Sequence, residues 1–168
     1  MGCGGVKRKG LRQVHLSMKV AMPRRSPDKA HSQKATGPPP FISLDYVYMP
    51  SADVAKDLEY FAGVLGGEVG FAVEGMGARV AMVRLTQGPP HVLLTDHLDG
   101  DRPTLIYRVE DLDSALADLK ARGWKKGSTL EIPMGPCCSF TTPGGHRIAV
   151  YELSRPAVAN HFLGRRDF

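Results

Sequence analysis

Two aspartates 58 positions apart, Asp53 and Asp111, each stand before an amphipathic run, and Leu58 and Leu116 within those runs keep the same offset. Constant spacing of this kind constrains topology strongly, because a supersecondary unit that recurs must bury its apolar face against its own copy. Residues 41–49, FISLDYVYM, are rich in β-branched and aromatic side chains and end at Pro50, which predicts a strand. Ser51 or Asp53 then caps a helix whose Val54, Leu58, Phe61 and Leu65 fall on one face, and Gly66-Gly67 stops it. Strands are expected over 68–73, 79–85 and 91–95, with Gly75-Met76-Gly77 and Gly88-Pro89-Pro90 as turns.

The order then returns. Residues 104–109 read as a strand, Asp111 caps a helix carrying Leu112, Ala115, Leu116 and Leu119 on one face, and Gly123 ends it. Strands over 128–132, 137–142 and 146–153 complete the second copy, with Pro143-Gly144-Gly145 as its last turn. A βαβββ unit is thus written twice.

The net charge of +5 invites a nucleic-acid reading until it is divided. Residues 1–40 hold nine Lys or Arg against one acid, Asp28, together with five prolines and no aromatic residue. The other 128 residues hold 13 bases and 16 acids, a charge of -3 with no basic stripe. The leader buries too little apolar surface to offset its chain entropy, so 1–40 is expected to be disordered. Val6 departs from the myristoylation pattern, and the apolar residues from Leu11 to Val20 are too interrupted for a secretory h-region. An organellar transit peptide, or a start at Met18 or Met22, are the readings that stay open for this leader. Specific nucleic-acid binding is not expected of the body. No apolar run is long enough to span a membrane. Three cysteines, two of them the neighbours Cys137 and Cys138, fit a reducing, cytoplasmic setting and small buried strand residues better than a disulfide framework.

Several segments carry a resemblance. Asp45-Tyr46-Val47 leading to Ala52-Asp53-Val54, the helix end Tyr60-Phe61-Ala62-Gly63-Val64-Leu65-Gly66, Val109-Glu110-Asp111-Leu112-Asp113, and Thr142-Pro143-Gly144-Gly145-His146-Arg147-Ile148 resemble pieces of the vicinal oxygen chelate superfamily, which includes glyoxalases, extradiol dioxygenases and bleomycin-resistance proteins. The resemblance spans about residues 42–154. It implies an α+β fold in which modules 41–98 and 99–154 form a curved mixed sheet around a concave pocket, with helices on the convex face. It also implies a homodimer. Beyond the second module, residues 155–168 read as a C-terminal arm whose Val158, Phe162 and Leu163 are expected to dock on the body or on a partner.

Metal-dependent members of that superfamily place His or Gln, Glu, His and Glu on the first, fourth, fifth and eighth strands. Those positions fall here on Tyr46, Leu93, Thr104 and Ala149, none of which is an imidazole or carboxylate. No metal and no cofactor is therefore expected. Strand alternation supports the register independently, because the opposite face carries Val47, Met49, Val92, Leu94, Leu105, Val109, Ile148 and Val150. The expected ligand-binding set is Tyr46, Tyr48, His91, Leu93, Thr104, Ile106, Arg108, Arg147, Ala149 and Tyr151. Arg108 and Arg147 suggest an anionic ligand, although a rim salt bridge is the simpler role for each; His91 and His146 are most simply solvated residues at a strand edge and a turn. The functional expectation is metal-independent binding of a small molecule. The alternative is a lyase or dioxygenase relative with a displaced metal or acid-base groups such as Tyr46 or His91. No catalytic residue can be named from the sequence.

Overall fold

The computed structural model describes residues 37–168; the basic leader and the alternatives for it lie almost wholly outside the described residues. Eight strands form one sheet in the order β2-β3-β4-β1-β5-β8-β7-β6. The strands are β1 (Phe41–Pro50), β2 (Glu68–Gly75), β3 (Ala78–Arg84), β4 (His91–Thr95), β5 (Thr104–Val109), β6 (Ser128–Ile132), β7 (Gly135–Thr141) and β8 (Arg147–Glu152). Helix α1 (Val54–Glu59) continues into a π-helical turn, Tyr60–Val64, and α2 (Leu112–Ala121) follows β5. The fold is α+β, as the repeat and the resemblance imply.

The duplication is visible in the register. Antiparallel β1 and β5 pair Tyr46 with Ile106 and Tyr48 with Thr104, two pairs that the 58-residue offset exchanges. Outside them, β4 runs parallel to β1 with His91 beside Tyr46 and Leu93 beside Tyr48. In the same way β8 runs parallel to β5, with Arg147 beside Thr104 and Ala149 beside Ile106. The two halves are therefore related strand for strand, and β1 and β5 form the seam.

Each helix starts where its aspartate accepts a backbone N–H: Asp53 from Lys56 at 3.2 Å and Asp111 from Ser114 at 2.7 Å. The helices cover the convex face. Val54 and Leu58 pack with Ala72, Ala81, Val83 and Leu94, while Leu112, Ala115 and Leu116 pack with Val109, Cys138 and Val150. These aliphatic side chains come from alternate strand positions, so the opposite set faces the concave side. Cys137 and Cys138 are both buried, on opposite faces of β7.

The chain after β8 returns to the far edge of the sheet. A short 3₁₀ helix, Pro156–His161, leads to a segment that hydrogen-bonds along β2: Gly164 N–H donates to Gly70 O, Ala72 N–H to Arg165 O, and Asp167 N–H to Ala72 O. Asp167 also accepts from Glu74 N–H at 3.1 Å, and Phe162 packs at a tilt against Phe71 with centroids 5.8 Å apart. Of the two docking places the sequence leaves open, this arm takes its own body. It pairs backbone groups that an edge strand would leave bare.

Candidate functional site

The concave face is divided unequally between the two halves. On the β5-β8-β7 side the space is filled by a core of Cys137, Ala149 and Tyr151, packed against Tyr46, Ile106, Ile132 and Met134. Met134 reaches this core from the turn between β6 and β7, which closes over it like a plug, and the Tyr46 hydroxyl points at its sulfur at 3.7 Å. On the β1-β4-β3-β2 side an open chamber of about 900 Å³ remains. Its floor is made of Phe71, Val73, Val80, Met82, Leu93 and Tyr48, and its walls of Met134 and Leu130 on one side and Phe162 and Leu163 from the C-terminal arm on the other. A chamber of this size with mainly apolar walls is of the kind that holds a drug-sized molecule.

The sequence-derived site residues separate accordingly. Tyr46, Tyr48, His91, Leu93, Ile106 and Tyr151 line the chamber. Thr104 and Ala149 are buried, at 9% and 5% exposure, and do not line it; Ala149 belongs to the filled core. Arg108 turns to Asp45, at 3.5 Å, and donates to Ser43 Oγ at 3.4 Å. Arg147 donates to the backbone carbonyls of Asp99 at 2.5 Å and Arg102 at 3.4 Å, and so secures the loop before β5. Both arginines thus occupy the structural roles that strand ends offer.

Three polar features of the concave side lie outside the set read from the sequence. The first is Asp45, which strict alternation assigns to the helix-covered face. A register shift between Leu44 and Tyr46 frees it, and its carboxylate accepts from Tyr151 OH at 2.6 Å and from Ser43 Oγ at 2.5 Å. A charged residue in an otherwise aliphatic row was the available signal of that bulge. The second is a string at the chamber rim, in which His97 Nδ1 lies 2.7 Å from Thr95 Oγ1 and His97 Nε2 lies 3.1 Å from Tyr48 OH. His97 follows β4 in a loop, where periodicity says nothing. The third is Arg84, which shares the concave face of β3 with Val80 and Met82 and pairs outward with Glu68 at 2.5 Å. Alternation along β3 marks it once that strand is counted among the walls.

Electrostatics follow burial. Desolvation raises the Tyr46 and Tyr48 phenols above their usual value, with the Asp45 charge adding to the effect at Tyr46. Tyr151 is raised furthest, by burial first and then by its bond to Asp45. His91 is pushed down, by burial and then by the Arg84 charge, against a smaller opposing pull from Asp45; its ring is neutral at pH 7. Burial likewise raises both thiols, Cys137 to about 11, which leaves them protonated and unreactive.

The four positions that the resemblance assigns to metal ligands lie on one face of adjacent strands, yet they present a desolvated phenol, a hydroxyl and two alkyl groups. Among the described residues no three His, Cys, Asp or Glu side chains come together as a metal site. This donor set does not fit a transition-metal ion. Among the described residues no helix is long and apolar enough to cross a membrane.

Paired βαβββ modules joined at an antiparallel seam, with one concave side, define the vicinal oxygen chelate fold. Among solved structures, methylmalonyl-CoA epimerase from Mycobacterium tuberculosis superposes with a TM-score of 0.60 at 20% identity, over 77% of this chain and 99% of that one. Methylmalonyl-CoA epimerase from Streptomyces coelicolor, in complex with 2-nitronate-propionyl-CoA, gives 0.55 at 16% identity over 68% and 99%. A hypothetical protein from Bacillus halodurans gives 0.53 at 12% identity over 66% and 93%. No family model matches the sequence, and no curated protein does. At these identities the likeness concerns the fold.

Proposed function

We propose that this is a metal-independent small-molecule-binding protein that holds its ligand in the chamber of the N-terminal half. The observation that carries the reading is the pairing of a chamber of about 900 Å³ with alkyl and hydroxyl groups at all four ligand positions of the fold. The space is shaped for a guest while the means to polarise it through a metal are missing. Tyr46, Tyr48, His91, Leu93, Ile106 and Tyr151 contact the ligand in this reading, and Thr104, Arg108, Arg147 and Ala149 support the sheet behind it. The binding body is residues 41–154 with the arm 155–168 as one wall, working as a cytoplasmic homodimer.

Two measurements test it together. Metal analysis of the dialysed protein is expected to find less than stoichiometric transition metal, and calorimetry against a panel of apolar small molecules is expected to find binding at one site per chain. Methylmalonyl-CoA belongs in the panel because epimerases acting on it share the fold, and no epimerisation is expected. A tightly held metal at one per chain, with turnover that chelation abolishes, overturns the proposal.

A further inference from the structure

The chamber is apolar except at one corner. His91 pairs with Tyr46 across β4 and β1, with ring centroids 6.2 Å apart, and Arg84 lies one residue beyond the Val83–Val92 pair on the neighbouring strand. All three side chains line the chamber. Arg84 Nε and His91 Nδ1 are both buried without a hydrogen-bond partner among the described residues, and the Tyr46 hydroxyl has only a thioether sulfur before it. Buried polar atoms are ordinarily satisfied, because leaving one unpaired costs most of its hydration. Two such atoms on neighbouring strands, with a phenol bonded only to a sulfur beside them, belong to side chains that line one cavity, and a bound group with acceptor oxygens would complete them.

We infer that this corner is the headgroup subsite of the chamber and that the ligand is an amphiphilic carboxylate. One carboxylate oxygen accepts from Arg84 Nε, and the other lies between the Tyr46 hydroxyl and the His91 ring. The apolar remainder runs over Met82 and Leu93 toward Phe162. Charge agrees with this assignment. Asp45, the anion that acts on His91, is already matched by Arg108, whereas Glu68, which accepts from Arg84 Nη2, has a side chain 72% exposed, so that water screens the pair. The inference rests on the binding role proposed above and adds the chemistry of the ligand.

The test compares decanoate with decanol by calorimetry on the full chain at pH 7. The carboxylate is expected to bind about tenfold or more tightly than the alcohol, as a charge-assisted hydrogen bond supplies. In Arg84→Met that ratio should fall to within about twofold of unity, and Arg84→Lys should give an intermediate ratio. Because Arg84→Met removes an ion pair that also ties β2 to β3, Glu68→Gln serves as a second variant. It leaves the chamber intact, frees Arg84, and should raise the ratio severalfold. Equal affinity for acid and alcohol in the unaltered protein, or a ratio indifferent to both Arg84→Met and Glu68→Gln, overturns the carboxylate assignment and leaves chamber binding standing. Binding of neither compound overturns the chamber reading and this inference with it.

Discussion

Tyr151 on β8 donates its hydroxyl to the Asp45 carboxylate on β1 at 2.6 Å, across a sheet in which those two strands are separated by β5. The bond is possible because the bulge in β1 turns Asp45 to the concave side. It joins the two halves of the duplication through a side chain that is only 1% exposed.

Breaking that bond from either end should have unequal effects. Tyr151→Phe leaves Asp45 with Ser43 and Arg108, and a loss of about 1 kcal/mol is expected. Asp45→Ala leaves a buried phenol and the Arg108 guanidinium without their acceptor, and about 2–3 kcal/mol is expected. Urea unfolding of both variants checks the order, which reverses if Asp45 is only a surface carboxylate.

Alkaline titration should distinguish the tyrosines. Tyr46, Tyr48 and Tyr151 are all raised above the ordinary value near 10, so in the folded chain their phenols ionise later than an exposed tyrosine's. A phenol whose pKa is raised by folding costs stability only where the unfolded chain would ionise. Stability from this source is therefore flat below about pH 10 and falls as pH rises beyond it. Phenolate absorbance should appear for these three only with the loss of near-ultraviolet circular dichroism.

Gly135 begins β7, and a Cβ placed there would lie 2.1 Å from the Glu152 carbonyl oxygen on the adjoining strand. Backbone cannot step aside as a side-chain end can, so Gly135→Ala should cost roughly 2–4 kcal/mol. The same residue follows the turn that carries Met134 into the filled half. The variant's 8-anilinonaphthalene-1-sulfonate fluorescence is expected to rise if the plug loosens along with the strand.

Phe162 stands against Phe71 and forms part of the chamber wall. Truncating a half-buried aromatic of this kind should destabilise by about 1–2 kcal/mol and weaken binding of apolar ligands by about tenfold. Thermal unfolding and calorimetry on Phe162→Ala report the two effects separately. A stability loss without any change in affinity places the arm outside the binding wall.

The sheet was largely legible in the sequence because its signals are local and repeated. Asp53 and Asp111 mark the helix starts, and the aliphatic row from Val47 to Val150 marks the face beneath the helices. Strand β4 occupies 91–95 and β5 occupies 104–109, as their patterns predict. Helix α1 is the partial exception: its apolar spacing runs on to Leu65, but after Glu59 the backbone widens into the π-helical turn. The site was less legible, for physical reasons. Asp45 depends on a bulge, His97 and Met134 sit in connections without a period, and Arg84 acquires meaning only once β3 is known to wall the chamber. Phe162 and Leu163 read as an arm in search of a surface, and only the hydrogen bonds along β2 decide which surface it is.

The unequal filling of the two concave sides bears on how such a chain can change. Ala149 and Cys137, on β8 and β7, are packed solid in one half, while residues that would select a guest, Met82, Leu93 and Phe162, border the chamber in the other. A substitution on the empty side has room to relax, so a lineage can trade one ligand for another there at little cost in folding. The packed half permits no such drift, and the burden of keeping the protein folded falls on it.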